Sequence, residues 1–455
     1  MDYPALLGEL FGLRRFGMEL GLERMQRVLG RLGDPQRCAP LVHVAGSNGK
    51  GSTAAFTESL LCALGRRPGL FTSPHLLRFT ERFRIAGVEA SQDAVVAAAD
   101  KVRRALGEPL TFFEYATAIG FVLFADAGVD CMVIEVGLGG RLDATNAADG
   151  AVQVVTGIAL DHVAQLGGTL GEIAREKAGI FRAGRTALVA LPAAEPGRAE
   201  VRAALSQAAR AAGARLAVLG EDFGLRPWGG DGALLYHGLL AAPSDEAALE
   251  MAARPRFPVG ALGLRGAHQR GNAALALAAA GELGRVMGFA VDEEACDAGL
   301  ATVRWPGRLE RVAEAPEVWV DAAHNPDGAA ALAAAVRAGD AGAGPLTLVL
   351  GALDDKDAAG IARVLAPLAA RVIVTRPASP RALAPELLAA ALPGADVVIM
   401  AAPGAALDAA RAHAAGDGGW VLVAGSIFLV ASARAQLLGE AADEVAVAEA
   451  LTPGR

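Results

Sequence analysis

Cysteine is scarce in this sequence of 455 residues, which contains only Cys38, Cys62, Cys131 and Cys296. The four residues lie far apart, no two of them form a C-x-x-C pair, and no histidine stands near them at zinc-finger spacing. This pattern excludes the common disulfide frameworks and cysteine-based zinc sites. We therefore expect reduced thiols, most of them buried.

Other absences narrow the class of protein further. The amino terminus, MDYPALLGEL, has acidic residues where a signal peptide needs a basic start and an apolar centre. The longest uncharged run, from Gly418 to Ala433, is interrupted by glycine and serine and is shorter than a bilayer-spanning helix. The formal net charge of −8 disfavours a general binder of nucleic acid or acidic membranes. These features predict a cytoplasmic protein with neither nucleic acid nor a membrane as a partner.

Length and apolar content predict two domains. A chain of this length with 53% hydrophobic residues is too long for one compact core and long enough for two. In its first third, β-branched runs alternate with helical stretches, which is typical of βαβ units in a parallel sheet. The stretch from Trp305 to Arg308 breaks the pattern, and strands with alanine-rich helices then recur. We predict an α/β fold with a P-loop-type ATPase domain over residues 1–302 and a smaller Rossmann-like domain over residues 303–455.

The individual elements are assigned from apolar periodicity and turn residues. In the first domain the predicted strands are Leu41–Val44, Cys131–Val136 and Val152–Ile158, and the predicted helices are Ser52–Leu64, Glu114–Asp126, Leu170–Ala178, Arg198–Ala212 and Gln269–Met287. The stretch from Glu221 to Pro258 is rich in glycine and proline, which predicts irregular or antiparallel structure. In the second domain the predicted strands are Val318–Ala322, Leu346–Leu350, Arg371–Thr375, Asp396–Met400 and Trp420–Ala424.

A glycine-rich stretch, HVAGSNGKGS from His43 to Ser52, stands between a predicted strand and a predicted helix. In that arrangement backbone N–H groups and the positive end of the helix hold a phosphate. Lys50 would reach the terminal phosphates. The match to G-x-x-x-x-G-K-S/T is imperfect, because Val44 replaces the first glycine and the hydroxyl arrives one place late, at Ser52. The alternative is a glycine-rich turn with a surface lysine.

A bound nucleoside triphosphate would need magnesium, which hard oxygen ligands or a nearby imidazole can hold. Glu135 is the best candidate carboxylate, because it ends a buried apolar strand where an unpaired charge would be costly. A neighbouring arginine such as Arg141 is the alternative partner for that carboxylate. His162 also emerges after an apolar strand, where α/β proteins place ligands, although it could equally be structural. Asp161 beside it could take either role.

Ten short motifs occur in order along the chain. They are AGSNGKGS (45 to 52), TSPHLLRFTERFRI (72 to 85), FFEYATAIGF (112 to 121), IEVGLGGRLDATN (134 to 146), ALDH (159 to 162), REKAGIF (175 to 181), HQRGNA (268 to 273), WPGRLE (305 to 310), DAAHNPDG (321 to 328) and LDDKD (353 to 357). Together they resemble the folylpolyglutamate synthase family, including the bifunctional bacterial dihydrofolate synthase/folylpolyglutamate synthase, within the Mur ligase superfamily. The resemblance covers nearly the whole chain.

The resemblance implies which residues contact ATP. The residues at the glycine-rich turn would hold the phosphates: Ser47, Asn48, Gly49, Lys50, Gly51 and Ser52. Asn272, Arg308 and Asp321 match positions that contact ATP from the interdomain side. His324 lies close enough to them in its motif to assist.

The resemblance also implies a metal centre. Ser73, Glu135 and His162 resemble the magnesium ligands of the family, although Ser73 alone would be read as a turn residue before a proline. Lys177 corresponds to a carbamylated lysine, in which added carbon dioxide turns an ammonium into a carboxylate-like ligand. Without the resemblance, Lys177 would be interpreted as a solvated helix lysine. The implied catalytic residues are Lys50, Lys177, His162 and Arg308.

A pteridine substrate is implied for three further segments. Their residues are Glu19, Leu20, Gly21, Leu22, Thr111, Phe112, Phe113, Glu114, Leu142, Asp143 and Ala144. Phe112, Phe113 and Tyr115 could stack on an aromatic ring, although an aromatic helix start is as often core packing. The departures from the family are small: Ser47 replaces a threonine, Glu19 an aspartate and Ala322 a glycine. None of them removes a metal or phosphate ligand.

The activity implied by the resemblance is ATP-dependent amide formation. Transfer of the γ-phosphoryl group to a carboxylate gives an acyl phosphate, which the α-amine of L-glutamate attacks with release of ADP and phosphate. One or two magnesium ions, Lys50 and Arg308 would neutralise charge on the phosphates and the acyl group. Domain closure would exclude water from the intermediate.

We predict that a monomer adds glutamate both to dihydropteroate and to reduced folates, because FFEYATAIGF resembles the bifunctional bacterial form. A muramyl-peptide ligase, which shares ATP activation but extends cell-wall precursors, is the alternative enzyme. A nucleotide-dependent switch without ligation is the alternative from another class. It would leave Lys177, Arg308 and Asp321 without a task.

Overall fold

The structure is a computed structural model, which describes residues 1–13, 21–228, 233–238 and 256–443, without the side chains of residues 256 and 257. The chain divides into two compact units. Unit 1 comprises Met1–His75, Thr80–Gly263 and Gln269–Arg304, and unit 2 comprises Leu76–Phe79, Leu264–His268 and Trp305–Arg455. Two residues of the implied pteridine site, Glu19 and Leu20, lie outside the described residues.

An eight-stranded sheet forms the centre of unit 1, with the strand order β4-β3-β2-β5-β1-β6-β7-β8. Its strands are β1 (Leu41–Ala45), β2 (Pro68–Phe71), β3 (Phe83–Ile85), β4 (Val88–Glu89), β5 (Cys131–Glu135), β6 (Val152–Val155), β7 (Thr186–Val189) and β8 (Arg215–Val218). The strands from β2 to β8 in this order run parallel, while β3 and β4 are antiparallel additions at one edge. Helices cover both faces of such a sheet, so its central strands are largely apolar, and all of β1, β2, β5 and β6 is buried.

The five helices predicted for the first domain are confirmed to within about two residues at each end, as is usual for helix boundaries. The described helices of unit 1 are α1 (Tyr3–Gly12), α2 (Glu23–Arg31), α3 (Lys50–Ala63), α4 (Gln92–Ala105), α5 (Phe112–Ala127), α6 (Val163–Leu166), α7 (Leu170–Ala178), α8 (Gly197–Ala212), α9 (His268–Met287) and α10 (Glu293–Thr302). Of these, α1, α2, α4, α6 and α10 were not predicted. Capping boxes at Thr111 and Thr169 explain why α5 and α7 begin where they do.

Two features of unit 1 refine the sequence-based predictions. The predicted strand Val152–Ile158 is wrong at its end, because the strand stops at Val155 and the next residues bond to the glycine-rich turn. Where it is described, the segment after Glu221 forms a three-stranded antiparallel sheet, which confirms the antiparallel alternative. Its strands are β9 (Gly224–Pro227), β10 (Leu234–His237) and β11 (Arg256–Val259).

Unit 2 contains a six-stranded sheet with the order β12-β13-β17-β14-β15-β16. Its strands are β12 (Glu310–Glu314), β13 (Glu317–Asp321), β14 (Leu346–Leu350), β15 (Arg371–Val374), β16 (Val397–Ile399) and β17 (Trp420–Ala424), and its helices are α11 (Pro326–Arg337), α12 (Ala358–Leu365), α13 (Pro385–Ala390), α14 (Pro403–Asp417) and α15 (Ile427–Leu438). All strands except the edge strand β12 run parallel. Two apolar clusters pack against this sheet, as expected for a doubly wound domain.

All four cysteines carry free thiols, as predicted, but only Cys131 and Cys296 are buried, whereas Cys38 is exposed. The prediction that most of the thiols are buried is therefore only half right. Within the ranges that the structure describes, no helix combines the length and the apolar character that a membrane span requires.

Candidate active site

Neighbouring parallel strands of unit 1 place the predicted site residues along one edge of the sheet. Strands β2, β5, β1 and β6 are adjacent and parallel, so their carboxyl ends meet at this edge. Ser73 follows β2, Glu135 ends β5, the glycine-rich turn follows β1, and Asp161 with His162 follows β6. Ligands of open α/β sheets bind at this edge.

The glycine-rich turn is held against the chain that follows β6. The N–H groups of Ser47 and Asn48 both donate to the Gly157 carbonyl, at N···O distances of 2.7 and 3.4 Å. The Ser47 hydroxyl donates to the Ala159 carbonyl at 2.9 Å and accepts from the Ala159 N–H at 3.0 Å. These groups of Ser47 and Asn48 are therefore engaged within the protein. The N–H groups of residues 49–52, at the start of α3, have no partner within this helix, and N–H groups in this position are suited to bind an anion.

Two glycines make this turn possible. Gly49 has a φ of 88° as the N-cap of α3, a conformation that favours glycine. A Cβ atom on Gly46 would lie 1.8 Å from Oγ1 of Thr156, which itself donates to the Asn48 carbonyl at 2.6 Å. Thr156 therefore occupies the space that a side chain at position 46 would need. It fixes the turn relative to β6.

Two lysines converge on one carbonyl of the turn. Nζ of Lys50 lies 3.0 Å and Nζ of Lys177 lies 2.9 Å from the Gly46 carbonyl oxygen. Lys177 is only 4% exposed, so its interpretation as a solvated lysine is wrong. Burial, followed by the charge of Lys50, lowers the pKa of Lys177 to about 7, against partial opposition from Asp161 and Asp143.

The predicted metal ligands are only partly assembled. Oε2 of Glu135 accepts a hydrogen bond from the Ser73 N–H at 3.0 Å. Arg141 pairs with Glu176 at 2.9 Å, which argues against an Arg141 to Glu135 ion pair. The side chain of His162 is 40% exposed, and its Nε2 lies 3.8 Å from the Asp161 carboxylate. Among the described residues, no cluster of three histidine, cysteine or acidic side chains forms a metal site by itself.

Asn272, on helix α9, lies beside the glycine-rich turn in unit 1. Its Oδ1 accepts from Oγ1 of Thr53 at 3.4 Å, and a Cβ atom on Gly49 would lie 2.5 Å from this oxygen. Nδ2 of Asn272 donates to Oε1 of Gln269 at 2.9 Å. The side chain is therefore held in place next to the first turn of α3.

In unit 2, Asp321 organises the segment that carries Arg308. Its two carboxylate oxygens accept the N–H groups of Leu309 and Ala323, both at 2.8 Å. Leu309 has a φ of 40°, which is unusual for a residue other than glycine. Nδ1 of His324 lies 3.0 Å from the Ala322 carbonyl oxygen. Hydrogen bonds thus connect the loop that carries Arg308 with the loop that carries Asp321 and His324.

The three segments of the implied pteridine site meet in unit 1 as far as they are described. Gly21 and Leu22 precede α2, and this helix packs against both α5 and the short turn Ala144–Ala147. Thr111 and Glu114 form the capping box of α5, and Glu114 also accepts from Nε of Arg24 at 3.1 Å. Leu142 is partly exposed, whereas Asp143 and Ala144 are buried.

The candidate stacking residues pack against other protein rings. Phe112 stacks on Phe11 with a centroid distance of 5.6 Å, and the Arg82 guanidinium carbon lies 5.2 Å from the centroid of its ring. Phe113 packs against Phe71 at 6.0 Å. Tyr115 is buried and donates to the Ala99 carbonyl at 3.2 Å. For Tyr115 the structure favours core packing, while Phe112 and Phe113 remain partly exposed.

Sequence reasoning missed several residues that shape this site. Besides Thr156, they include Arg182, which donates to Oδ1 of Asn146 at 2.6 Å and to the Phe181 carbonyl at 3.2 Å. These bonds link the loop before β6 to the chain that follows Lys177. A threonine directly after an apolar strand and an arginine four residues after a helix end give only weak signals, because their partners are distant in sequence.

Comparison with known proteins identifies close relatives. Residues 307–427 match the family model for the glutamate ligase domain of Mur ligases. The chain is 39% identical over 356 residues to a dihydrofolate synthase/folylpolyglutamate synthase of Escherichia coli, with coverage of 78% of this chain and 77% of the relative. It is 38% identical to a probable bifunctional folylpolyglutamate synthase/dihydropteroate synthase of Haloferax volcanii, with coverage of 95% of this chain and 50% of the relative. The chain therefore spans about half the length of that archaeal protein.

Solved structures agree with these relatives. The Escherichia coli FolC protein in complex with DHPP and ADP has a TM-score of 0.83 and 35% identity, and the match covers 96% of this chain and 98% of that one. A bifunctional folylpolyglutamate synthase/dihydrofolate synthase bound to Mn, AMPPNP and L-glutamate has a TM-score of 0.79 and 32% identity, with coverage of 96% and 98%. Relatives of this chain therefore bind a nucleotide and a divalent metal.

Proposed function

The chain belongs to the dihydrofolate synthase/folylpolyglutamate synthase family, and we propose that it adds L-glutamate to dihydropteroate and to reduced folates in an ATP-dependent ligation. The observation that carries this proposal is the convergence of Lys50 and Lys177 on the Gly46 carbonyl beside a helix start. One lysine is suited to the phosphates of ATP, and the buried one is suited to covalent modification. The folate names of the relatives described above favour a pteridine acceptor over a muramyl peptide.

The residues at the sheet edge fit a magnesium ion that is bound together with phosphates. Magnesium usually takes one or two carboxylates and completes its shell with water and phosphate oxygens. A buried carboxylate, Glu135, beside the serine Ser73 is such a donor set, and we assign His162 as a third ligand. When bound, the ion would neutralise charge on the transferred phosphoryl group.

The chain itself would bind the triphosphate through the start of α3. The N–H groups of residues 49–52 and the positive helix end would hold the phosphates, and Lys50 would exchange its bond to the Gly46 carbonyl for a phosphate oxygen. We assign Asn272, Arg308, Asp321 and His324 as further nucleotide contacts. In this assignment residues 1–302 bind nucleotide and pteridine, and residues 303–455 form the glutamate ligase domain.

The buried amine of Lys177 is suited to carbamylation. Carbon dioxide reacts with a neutral amine, forming an N–C bond and releasing one proton. At pH 7 an amine with a pKa of about 7 is about half neutral, whereas one with an ordinary pKa of 10.5 is neutral in roughly one molecule in three thousand. The product is a carboxylate-like group that could hold a second cation. We therefore propose that Lys177 is carbamylated in the active enzyme.

Glutamate incorporation tests this function. The purified protein receives ATP, magnesium and radiolabelled L-glutamate with either dihydropteroate or tetrahydrofolate. We expect label in both products together with ADP release. Reaction with tetrahydrofolate alone would refute only the first activity, and absence of label in both products would refute the folate function. Removal of carbon dioxide from the buffers should lower the rate, and added bicarbonate should restore it.

A further inference from the structure

A buried polar chain beneath the candidate site has no role in the function proposed so far. Nε2 of His43, in the middle of β1, lies 2.9 Å from Oγ1 of Thr145, and this hydroxyl lies 2.5 Å from Oδ1 of Asp143. His43 and Thr145 are completely buried, and Asp143 is 5% exposed. These hydrogen bonds join strand β1, which precedes the glycine-rich turn, to the loop that carries Leu142 and Ala144.

The direction of these hydrogen bonds follows from the contacts of Asp143. Its Oδ1 accepts the Thr145 N–H at 3.0 Å, and its Oδ2 accepts the Leu138 N–H at 2.8 Å, so both oxygens act as acceptors toward the backbone, while burial raises the pKa of Asp143 against these bonds. The Thr145 hydroxyl then donates to Asp143 and accepts from His43, which assigns the proton of the imidazole to Nε2. Burial, helped by the charge of Arg182, lowers the pKa of His43 to about 3, so the ring is neutral as this direction requires.

These hydrogen bonds determine the shape of the loop. The bonds from Asp143 to residues 138 and 145 close the loop from both sides of Leu142 and Ala144. Elsewhere the loop is held by the Arg141 N–H, which donates to the Glu176 carbonyl at 2.9 Å. The Thr145 hydroxyl connects the two parts of this network: its bond to Asp143 lies within the loop, and its contact with Nε2 of His43 joins the loop to strand β1.

We propose that His43 and Thr145 are positioning residues for the pteridine substrate: through Asp143 they hold the loop that contains Leu142 and Ala144 in its binding conformation. This inference rests on the proposed function, because the pteridine is assigned to that loop by it. Loss of the Thr145 hydroxyl lowers the population of the binding conformation and so weakens pteridine binding. Residues 49–52, which are assigned to the nucleotide, lie beyond the end of β1, and Thr156 and Gly157 separately hold the two residues before them, Ser47 and Asn48.

The test compares two substitutions at this buried position. Thr145→Val removes the hydroxyl and keeps the shape, whereas Thr145→Ser keeps the hydroxyl. For each variant, the dissociation constant of dihydropteroate is measured by equilibrium binding, and the KM values for dihydropteroate and ATP by glutamate incorporation. Thr145→Val should weaken dihydropteroate binding about ten-fold, the effect of one buried hydrogen bond, with the KM for ATP unchanged. Thr145→Ser should bind like the unmodified protein.

A substitution of His43 tests the same hydrogen-bonded residues at the other end of the network. His43→Leu should also weaken dihydropteroate binding selectively, and the double variant with Thr145→Val should be no weaker than the weaker single variant, since both act through one chain. Additive effects, an equal rise of both KM values, or failure of both single variants to fold would overturn the inference. Unchanged binding by Thr145→Val would do the same. If the unmodified protein neither binds nor converts dihydropteroate, the proposed function itself fails.

Discussion

Replacement of Lys177 by methionine should increase the free energy of unfolding and make it less dependent on pH. Lys177 is 4% exposed, and its pKa falls from an ordinary value of 10.5 to about 7 because burial disfavours the ammonium. Between these two pH values the unfolded chain binds more protons than the folded chain, so the stability of the native protein increases with pH. Below pH 7 the folded protein carries the full penalty of a buried charge.

The difference between the two pKa values gives the size of the effect. At 1.36 kcal/mol for each pH unit, the penalty below pH 7 is about 5 kcal/mol. Methionine removes this penalty but also removes the hydrogen bond to the Gly46 carbonyl, which contributes about 1 kcal/mol. The variant should therefore be more stable by about 4 kcal/mol at pH 6 and by only about 1 kcal/mol at pH 9.

Urea unfolding followed by circular dichroism at pH 6, 7, 8 and 9, in buffers without metal or carbon dioxide, measures this difference. The matched control is Lys101→Met, because Lys101 is half exposed in a surface ion pair with Asp126 and should show no comparable dependence on pH. Lower stability of the Lys177 variant at every pH, or a difference that does not change with pH, would refute the reasoning. Glutamate incorporation by the variant should be lost although the fold is retained.

Three further substitutions test contacts that hold the backbone near the candidate site residues. Gly46→Ala should abolish binding of an ATP analogue, because its Cβ would lie 1.8 Å from Oγ1 of Thr156. Gly140→Ala should lower kcat by at least about ten-fold with a smaller effect on the KM for ATP, because its Cβ would lie 2.7 Å from the Lys177 carbonyl oxygen and displace the end of α7. Asp321→Asn should lower the free energy of unfolding by about 2 kcal/mol and reduce kcat/KM, because an amide group then faces a backbone N–H.

Two control variants accompany these substitutions, one for the glycine variants and one for Asp321→Asn. Gly157→Ala should be tolerated, since its Cβ would lie 3.7 Å from the nearest atom. Asp355→Asn removes a partly exposed ion pair with Arg381 and should change stability by less than about 1 kcal/mol. ATP-analogue binding by Gly46→Ala, normal kcat for Gly140→Ala, or unchanged stability of Asp321→Asn would contradict the respective contact.

The sequence predicted three of the four strands that position the site, β1, β5 and β6, because parallel strands buried on both faces are largely apolar. Val152–Ile158 was extended too far, since Thr156 continues the β-branched pattern although its hydroxyl bonds to the glycine-rich turn. Strand β2, which precedes Ser73, and the edge strand β12 were not predicted. The family resemblance is confirmed by the relatives, whereas the assigned metal and substrate contacts remain proposals.

Local sequence by itself determined the glycine-rich turn, since a strand, glycines at positions 46 and 49, and the start of a helix are encoded within a dozen residues. Only the tertiary structure decided that Lys177 is buried and that its pKa is lowered. Its helix gives no sign of burial, and its pKa depends on packing beneath a turn that lies 131 positions earlier in the chain. The same holds for His43 and Thr145, which meet across 102 positions. Desolvation and hydrogen bonding depend on distances in space, and residues so far apart in sequence become neighbours only when the sheet is assembled.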